Sequence, residues 1–270
     1  MKILVLTSCT GEKVVEHDDQ LMLEDFQRGR AHVAEKEKAL RHLLRPAEDL
    51  YSGLQHIRLM KGVRAAREAG KLDIALHVLS AGYGLVAGGD MLAPYEATFA
   101  GMKGQQLREW ARALHVPQAI RKLLAQQYDL TILLLGEDYL QACEIGADVV
   151  LGSPTIALCS AASAKRLPNL PALHKVVVTN ADAKRFSCGL VGLKGEITSR
   201  VLQRLSADPS RLVDLLHGGP QFLAFADQMA VAPSPSKRTA ARPKLDVDQV
   251  IQLPNEWSDK PHRKSLTYFI

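Results

Sequence analysis

Residues 79–99 read Leu-Ser-Ala-Gly-Tyr-Gly-Leu-Val-Ala-Gly-Gly-Asp-Met-Leu-Ala-Pro-Tyr-Glu-Ala-Thr-Phe, with four glycines inside eight positions. Glycine is needed where the backbone takes positive φ, or where it must approach a ligand closely enough for its N–H groups to donate. Ser80, Tyr83 and Tyr95 add hydroxyls, and a tyrosine ring can stack on a planar base. Ser80, Gly82, Gly84 and Tyr95 therefore suit a planar, polar ligand such as a nucleobase. The same residues also describe a strand followed by two glycine turns with tyrosines packed at the rim. Their spacing matches neither a Walker-type loop nor the dinucleotide fingerprint.

Residues 7–13, Thr-Ser-Cys-Thr-Gly-Glu-Lys, form a second polar turn after an apolar run. Ser8, the backbone donors and Lys13 could hold an anion or a sugar phosphate, or the segment could be an ordinary turn with a solvated lysine. Cys9 would be a nucleophile only if a nearby base lowered its pKa, and no such partner is identifiable from sequence. Residues 135–139, Leu-Gly-Glu-Asp-Tyr, put Gly136, Glu137, Asp138 and Tyr139 after another apolar run. Carboxylates there can act as general bases or hold ribose hydroxyls, and they are equally at home in the first turn of a helix. Glu96 is a third available acid. Residues 186–195 make one more glycine-rich loop suited to phosphate. Nine histidines without an H-x-x-x-H pair, and cysteines without C-x-x-C spacing, signal no metal site, and no cofactor is expected. Arg28, Arg30, Lys36, Lys38, Arg41 and Arg45 interleave with Glu35 and Glu37, as on a solvated helix face.

Positioning these residues falls to short apolar runs that end in small polar residues: 2–7, 74–79, 130–135, 155–158 and 176–178, five expected strands. Apolar residues three or four apart predict helices over 31–44, 55–68, 105–126 and 196–205, with closing helical segments at 210–216 and 221–229 and a turn at Gly218, Gly219 and Pro220. Strands alternating with helices imply an α/β fold with a mostly parallel, doubly wound sheet covered on both faces. Ligands of such sheets bind beyond the carboxyl ends of the strands, where the polar turns lie.

The chain has 270 residues, 47% of them hydrophobic, enough to bury a core without metal or disulfide staples. No apolar run approaches the roughly 20 residues of a membrane span, so no membrane contact is expected. Cys9, Cys143, Cys159 and Cys188 fit a reducing cytoplasm. The expected organisation is an α/β domain over 1–230, a basic Pro/Ser/Ala-rich linker over 231–246, and a tail over 247–270. Net charge is +5, and residues 232–270 supply seven basic and four acidic side chains, leaving the remainder nearly neutral.

The 79–85 heptapeptide followed by Leu92-Ala-Pro-Tyr-Glu96 resembles the "LS-x-x-YGL … x-x-PY" signature of the YaaA family and its relatives of unnamed function. Thr7 to Thr10 with Lys13, Leu50-Tyr51-Ser52, Gly136 to Tyr139 and Gly192 to Gly195 extend the resemblance over roughly residues 1–205. Residues 264–270, Lys-Ser-Leu-Thr-Tyr-Phe-Ile, are similar to the beginning of DpdA-type transglycosylase-like proteins, relatives of tRNA-guanine transglycosylases that place deazaguanine bases in nucleic acid. The first resemblance implies an association with DNA and, in stress-response members, with oxidative damage. The opening Thr-Ser-Cys-Thr departs from the Ser-Pro-Ala-Lys of the stress protein. The second implies a fused or separate transglycosylase-like partner, whose catalytic aspartates would lie beyond Ile270.

Together these readings point to a domain that handles a nucleobase or nucleotide in nucleic-acid modification, on DNA in preference to RNA. Its pocket would comprise Ser8, Lys13, Tyr51, Ser80, Gly82, Gly84, Tyr95, Gly136 and Tyr139, and Glu137, Asp138 or Glu96 would supply the acid for glycosidic-bond chemistry. The alternative is a non-catalytic DNA-binding protein that grips phosphates with Lys237, Arg238, Arg242 and Lys244. A third is a scaffold whose tail tethers a partner.

Overall fold

A computed structural model of the chain describes residues 1–215 and 219–228. The linker and tail, with Lys237, Arg238, Arg242, Lys244 and residues 264–270, lie outside them, as does Gly218. The strands are β1 (Lys2–Ser8), β2 (Leu21–Met22), β3 (Arg45–Pro46), β4 (Asp73–Ser80), β5 (Gly84–Ala87), β6 (Met91–Leu92), β7 (Tyr95–Glu96), β8 (Leu130–Leu134), β9 (Thr155–Cys159) and β10 (Leu173–Val177). The helices are α1 (Leu23–Gln27), α2 (Arg30–Ala39), α3 (Ala47–Leu50), α4 (Leu54–Ala69), α5 (Gly104–Ala113), α6 (Val116–Leu124), α7 (Glu137–Cys143), α8 (Ala161–Arg166), α9 (Asn180–Arg185), α10 (Leu190–Ala207) and α11 (Gly219–Asp227).

Six strands form one sheet in the order β10-β9-β8-β1-β4-β5. All pairs are parallel except β4 with β5, which closes the sheet as an antiparallel hairpin. Strands β1, β8 and β9 are apolar runs because both of their faces are covered, as a buried parallel sheet requires. On one face Ile3, Val5, Ile132 and Ile156 pack against Leu59 and Val63 of α4 and Ile197 and Val201 of α10. On the other, Leu4, Leu6 and Leu133 meet Leu107 and Ala111 of α5, Ile120 of α6 and Leu140 of α7. The doubly wound α/β expectation is thus met. The order turns at β1 and β8, because the chain leaves β1 toward β4 on one side and leaves β8 toward β9 on the other. This divergence is the topological switch point at which open α/β sheets take their ligands.

Three local readings change. The single helix expected over 105–126 is two, α5 and α6, because His115 takes a left-handed φ of 56° and Pro117 stands in the first turn of α6. Proline has no N–H to continue a helix, and its ring clashes with the preceding turn. The loop read at 186–195 is half helix, with α10 starting at Leu190 rather than Glu196. An alanine Cβ at Gly195 would fall 2.1 Å from the Gln55 carbonyl oxygen, and one at Gly62 2.3 Å from Ser199 Cα. These glycines let α4 and α10 touch backbone to backbone, which accounts for the glycine spacing without a phosphate. Finally, Gly219 and Pro220 open α11 instead of forming a turn. Among the described residues no helix is long and apolar enough to cross a membrane.

Candidate functional site

The residues singled out in 79–99 do not form a free loop. Ser80 ends β4 and pairs with Gly84 of β5, so residues 81–83 are a three-residue hairpin turn. The Ser80 hydroxyl caps that turn, accepting the N–H groups of Gly82 at 3.1 Å and Tyr83 at 3.0 Å while donating to the Tyr95 hydroxyl at 2.8 Å. Gly84 has a φ of 76°, and a Cβ there would meet the Leu114 carbonyl at 2.9 Å. A Cβ on Gly82 would meet the Phe26 ring at 2.6 Å. The glycines are thus required by the turn and by protein packed against it. Gly82 also borders a groove of ≈ 530 Å³ between Phe26, Tyr83, Val86, Trp110 and Leu114.

Tyr95 on β7 is fully buried, its ring set edge-on to Phe26, Tyr83 and Tyr51. Its hydroxyl lies 2.9 Å from that of Tyr51. Burial pushes the phenols of Tyr51, Tyr83 and Tyr95 well above the ordinary tyrosine range, so all three are neutral donors. Lys13 closes this cluster. Its side chain is only 2% exposed, and its ammonium donates to the carbonyls of Gly11 at 3.1 Å and Thr10 at 3.4 Å. It lies 4.5 Å from the centre of the Tyr95 ring and 3.7 Å from the Glu96 carboxylate. A bridge between Lys13 and Tyr51 fastens the turn after β1 to the segment before α4. Lys13, Tyr51, Ser80 and Tyr95 therefore come together as a packed polar core, with the half-exposed Glu96 carboxylate at its rim.

Beside them the sheet edge runs on through the switch point. Gln55 of α4 donates to the Thr7 hydroxyl at 3.1 Å and the Leu134 carbonyl at 3.0 Å, tying the ends of β1 and β8 together. Just beyond, the Cys9 thiol and the Tyr139 hydroxyl are 3.0 Å apart. Burial, and then the neighbouring Cys9, raise the Tyr139 phenol above its usual range, so it stays neutral beside the thiol and is no base for it. Ser8 ends β1 half-buried, and Gly136 is the residue before α7.

Glu137 and Asp138 occupy the first turn of α7. Glu137 lines two adjoining cavities that share Ser163: one of ≈ 390 Å³ with Leu140, Gln141, Glu144 and Arg166, and one of ≈ 230 Å³ with Ser160, Val178, Leu190 and Lys194. Its carboxylate is paired with Arg166. Ser160 caps α8, accepting the Ser163 N–H at 3.1 Å and donating to the Ser163 hydroxyl at the same distance. Ser160, Ser163, Arg166 and Lys194 are absent from the sequence-derived set. Only Lys194 carried a signal, its place in the Gly192–Gly195 segment.

Fold and site together define an open, doubly wound α/β domain with a largely apolar cleft, into which a few polar side chains are set, at the carboxyl ends of β8 and β9. Residues 33–154, from α2 to the residue before β9, match the model of a family of unknown function, DUF6884. No curated protein matches the chain.

Proposed function

We propose that this domain binds a nucleotide or nucleobase in the cleft beside Glu137 and acts at a glycosidic bond within a system that modifies nucleic acid. The observation that carries the reading is the meeting of a carboxylate, a lysine and two serine hydroxyls in one cleft at the carboxyl edge of the sheet, next to the switch point. The two cavities together fall in the size range of small-molecule sites, about 300–1,000 Å³. Glycosidic chemistry needs a carboxylate near the sugar carbon and donors for the departing base. Of the three acids, Glu137 is best placed for that role because it lines both cavities, whereas Glu96 faces Lys13. The resemblance of residues 79–99 to the YaaA signature adds the nucleic-acid context, and that of residues 264–270 to the DpdA type adds deazaguanine as the base to test first.

The test is calorimetric titration of the full chain with guanine, 7-deazaguanines, guanosine and guanosine monophosphate, comparing wild type with Glu137→Gln, followed by release of free base from DNA containing the best ligand. Saturable binding with turnover that Glu137→Gln abolishes is the expected result. Binding of duplex DNA that is steeply salt-dependent, with no response to any small ligand, would instead make this a non-catalytic DNA-binding protein.

A further inference from the structure

Lys194 forms an ion pair with no carboxylate among the described residues. It lies in the second turn of α10, and its ammonium donates to the Leu135 carbonyl at 2.6 Å. Glu196, two residues further along α10, is paired with Arg58 and Arg200, and Glu137, which lines the same cavity, is paired with Arg166. Burying an ammonium that lacks an opposite charge is costly, and proteins ordinarily avoid it by pairing. Here burial depresses the amine to about 8, with only the Cys159 thiol acting in the opposite direction. The group nonetheless faces the ≈ 230 Å³ cavity, together with Ser160 and Ser163.

We propose that Lys194, with Ser160 and Ser163, is an anion subsite that holds the phosphate of the ligand, so that the cleft takes a nucleotide rather than a free base. This rests on the nucleotide reading above. An ammonium has three donors and the Leu135 carbonyl uses one, which leaves two for phosphate oxygens. The Ser163 hydroxyl accepts from Ser160, so its own proton is free to be donated to the same group. The phosphate supplies the charge that the protein withholds. Arg166, paired with Glu137, offsets the repulsion between that carboxylate and a phosphate in the shared cavity.

Full-chain wild type, Lys194→Met and Lys194→Arg are titrated at pH 7 with guanosine, guanosine 5′-monophosphate and inorganic phosphate. In parallel, the acetylation rate of Lys194 is followed by mass spectrometry. In wild type the monophosphate should bind at least about ten-fold more tightly than guanosine, the size of effect expected for one charge-assisted contact. That gap should close in Lys194→Met and partly persist in Lys194→Arg, and phosphate alone should slow acetylation of Lys194. Equal binding of guanosine and its monophosphate, with Lys194 unprotected by phosphate, overturns the subsite. Protection by phosphate, with the monophosphate binding no better than phosphate itself, leaves the anion subsite standing and removes the nucleotide reading.

Discussion

The thiol of Cys9 and the phenol of Tyr139, 3.0 Å apart, join the turn after β1 to the helix after β8 across the switch point of the sheet. Tyr139 also sets its ring edge-on to Phe99, 5.2 Å away. Tyr139→Phe keeps the ring and removes only the hydroxyl, so it should cost about 1 kcal/mol, the usual net worth of one hydrogen bond. Urea denaturation should show a lower midpoint with an unchanged slope.

Tyr95 tests whether the inner cluster is core or ligand surface. Its hydroxyl accepts from Ser80 and contacts Tyr51, and all three residues are buried. Tyr95→Phe leaves two buried hydroxyls short of a partner and should cost about 1–3 kcal/mol. Tyr95→Ala empties a fully buried site and should cost about 3–5 kcal/mol. Titrations of the Tyr95→Phe protein should match wild type in ligand affinity. A weakened affinity with unchanged stability would move the ligand inward, toward Lys13.

The α4–α10 crossing has no room for a methyl group. Gly195→Ala and Gly62→Ala drive a Cβ onto backbone atoms of the facing helix at 2.1 and 2.3 Å. Each should cost at least about 2 kcal/mol, within the range for overpacking. Gly89→Ala, with open space around it, should fall within about 0.5 kcal/mol of wild type in the same melts.

Lys194 should make stability rise with pH. Its amine titrates at about 8 in the folded chain against an ordinary value of 10.5, so between those values the unfolded chain holds a proton that the native state has lost. Stability therefore climbs through this window, and below pH 8 the native state carries the full cost of the buried charge, on the order of 3 kcal/mol. Lys194→Met should be the more stable protein at pH 7, and its advantage should shrink by pH 10. Denaturant melts of the two proteins across that range measure the difference directly.

The buried phenols should be visible in an alkaline spectrophotometric titration. Tyr51, Tyr83, Tyr95 and Tyr139 are all held above the usual range, first by burial. Native protein at pH 10–11 should then show well under half the phenolate absorbance of the urea-unfolded chain, in which tyrosines ionise near pH 10. Native absorbance equal to the unfolded value would mean that the cluster is open to solvent.

Strands β1, β4, β8 and β9 are legible as the apolar runs at 2–7, 74–79, 130–135 and 155–158, because strands inside a covered sheet bury apolar residues, whereas the run at 176–178 meets only the last two residues of the edge strand β10, whose His174 and Lys175 break the pattern. The positions of Glu137 and Tyr139 at a strand end followed from the same runs. What a local pattern cannot carry is pairing between segments far apart in the chain. Strands β2, β3, β6 and β7 are two residues long and exist only because each has a partner elsewhere. The 79–99 glycines suit either a ligand loop or packed turns, and what decides for the turns at Gly82 and Gly84 is that Phe26 and Leu114 fill the space beside them, neighbours that no local pattern signals. Lys194 is the sharpest case. As a residue it is an ordinary helix lysine, and its amine is buried against the carbonyl of Leu135 only because α10 returns across the sheet to the end of β8. Sequence alone determined where the long apolar strands of the sheet run and which turns are polar, since burial and backbone chemistry act residue by residue. Tertiary structure alone decided which of those turns meet, since strand order and helix crossing join residues more than a hundred positions apart, as with Cys9 and Tyr139.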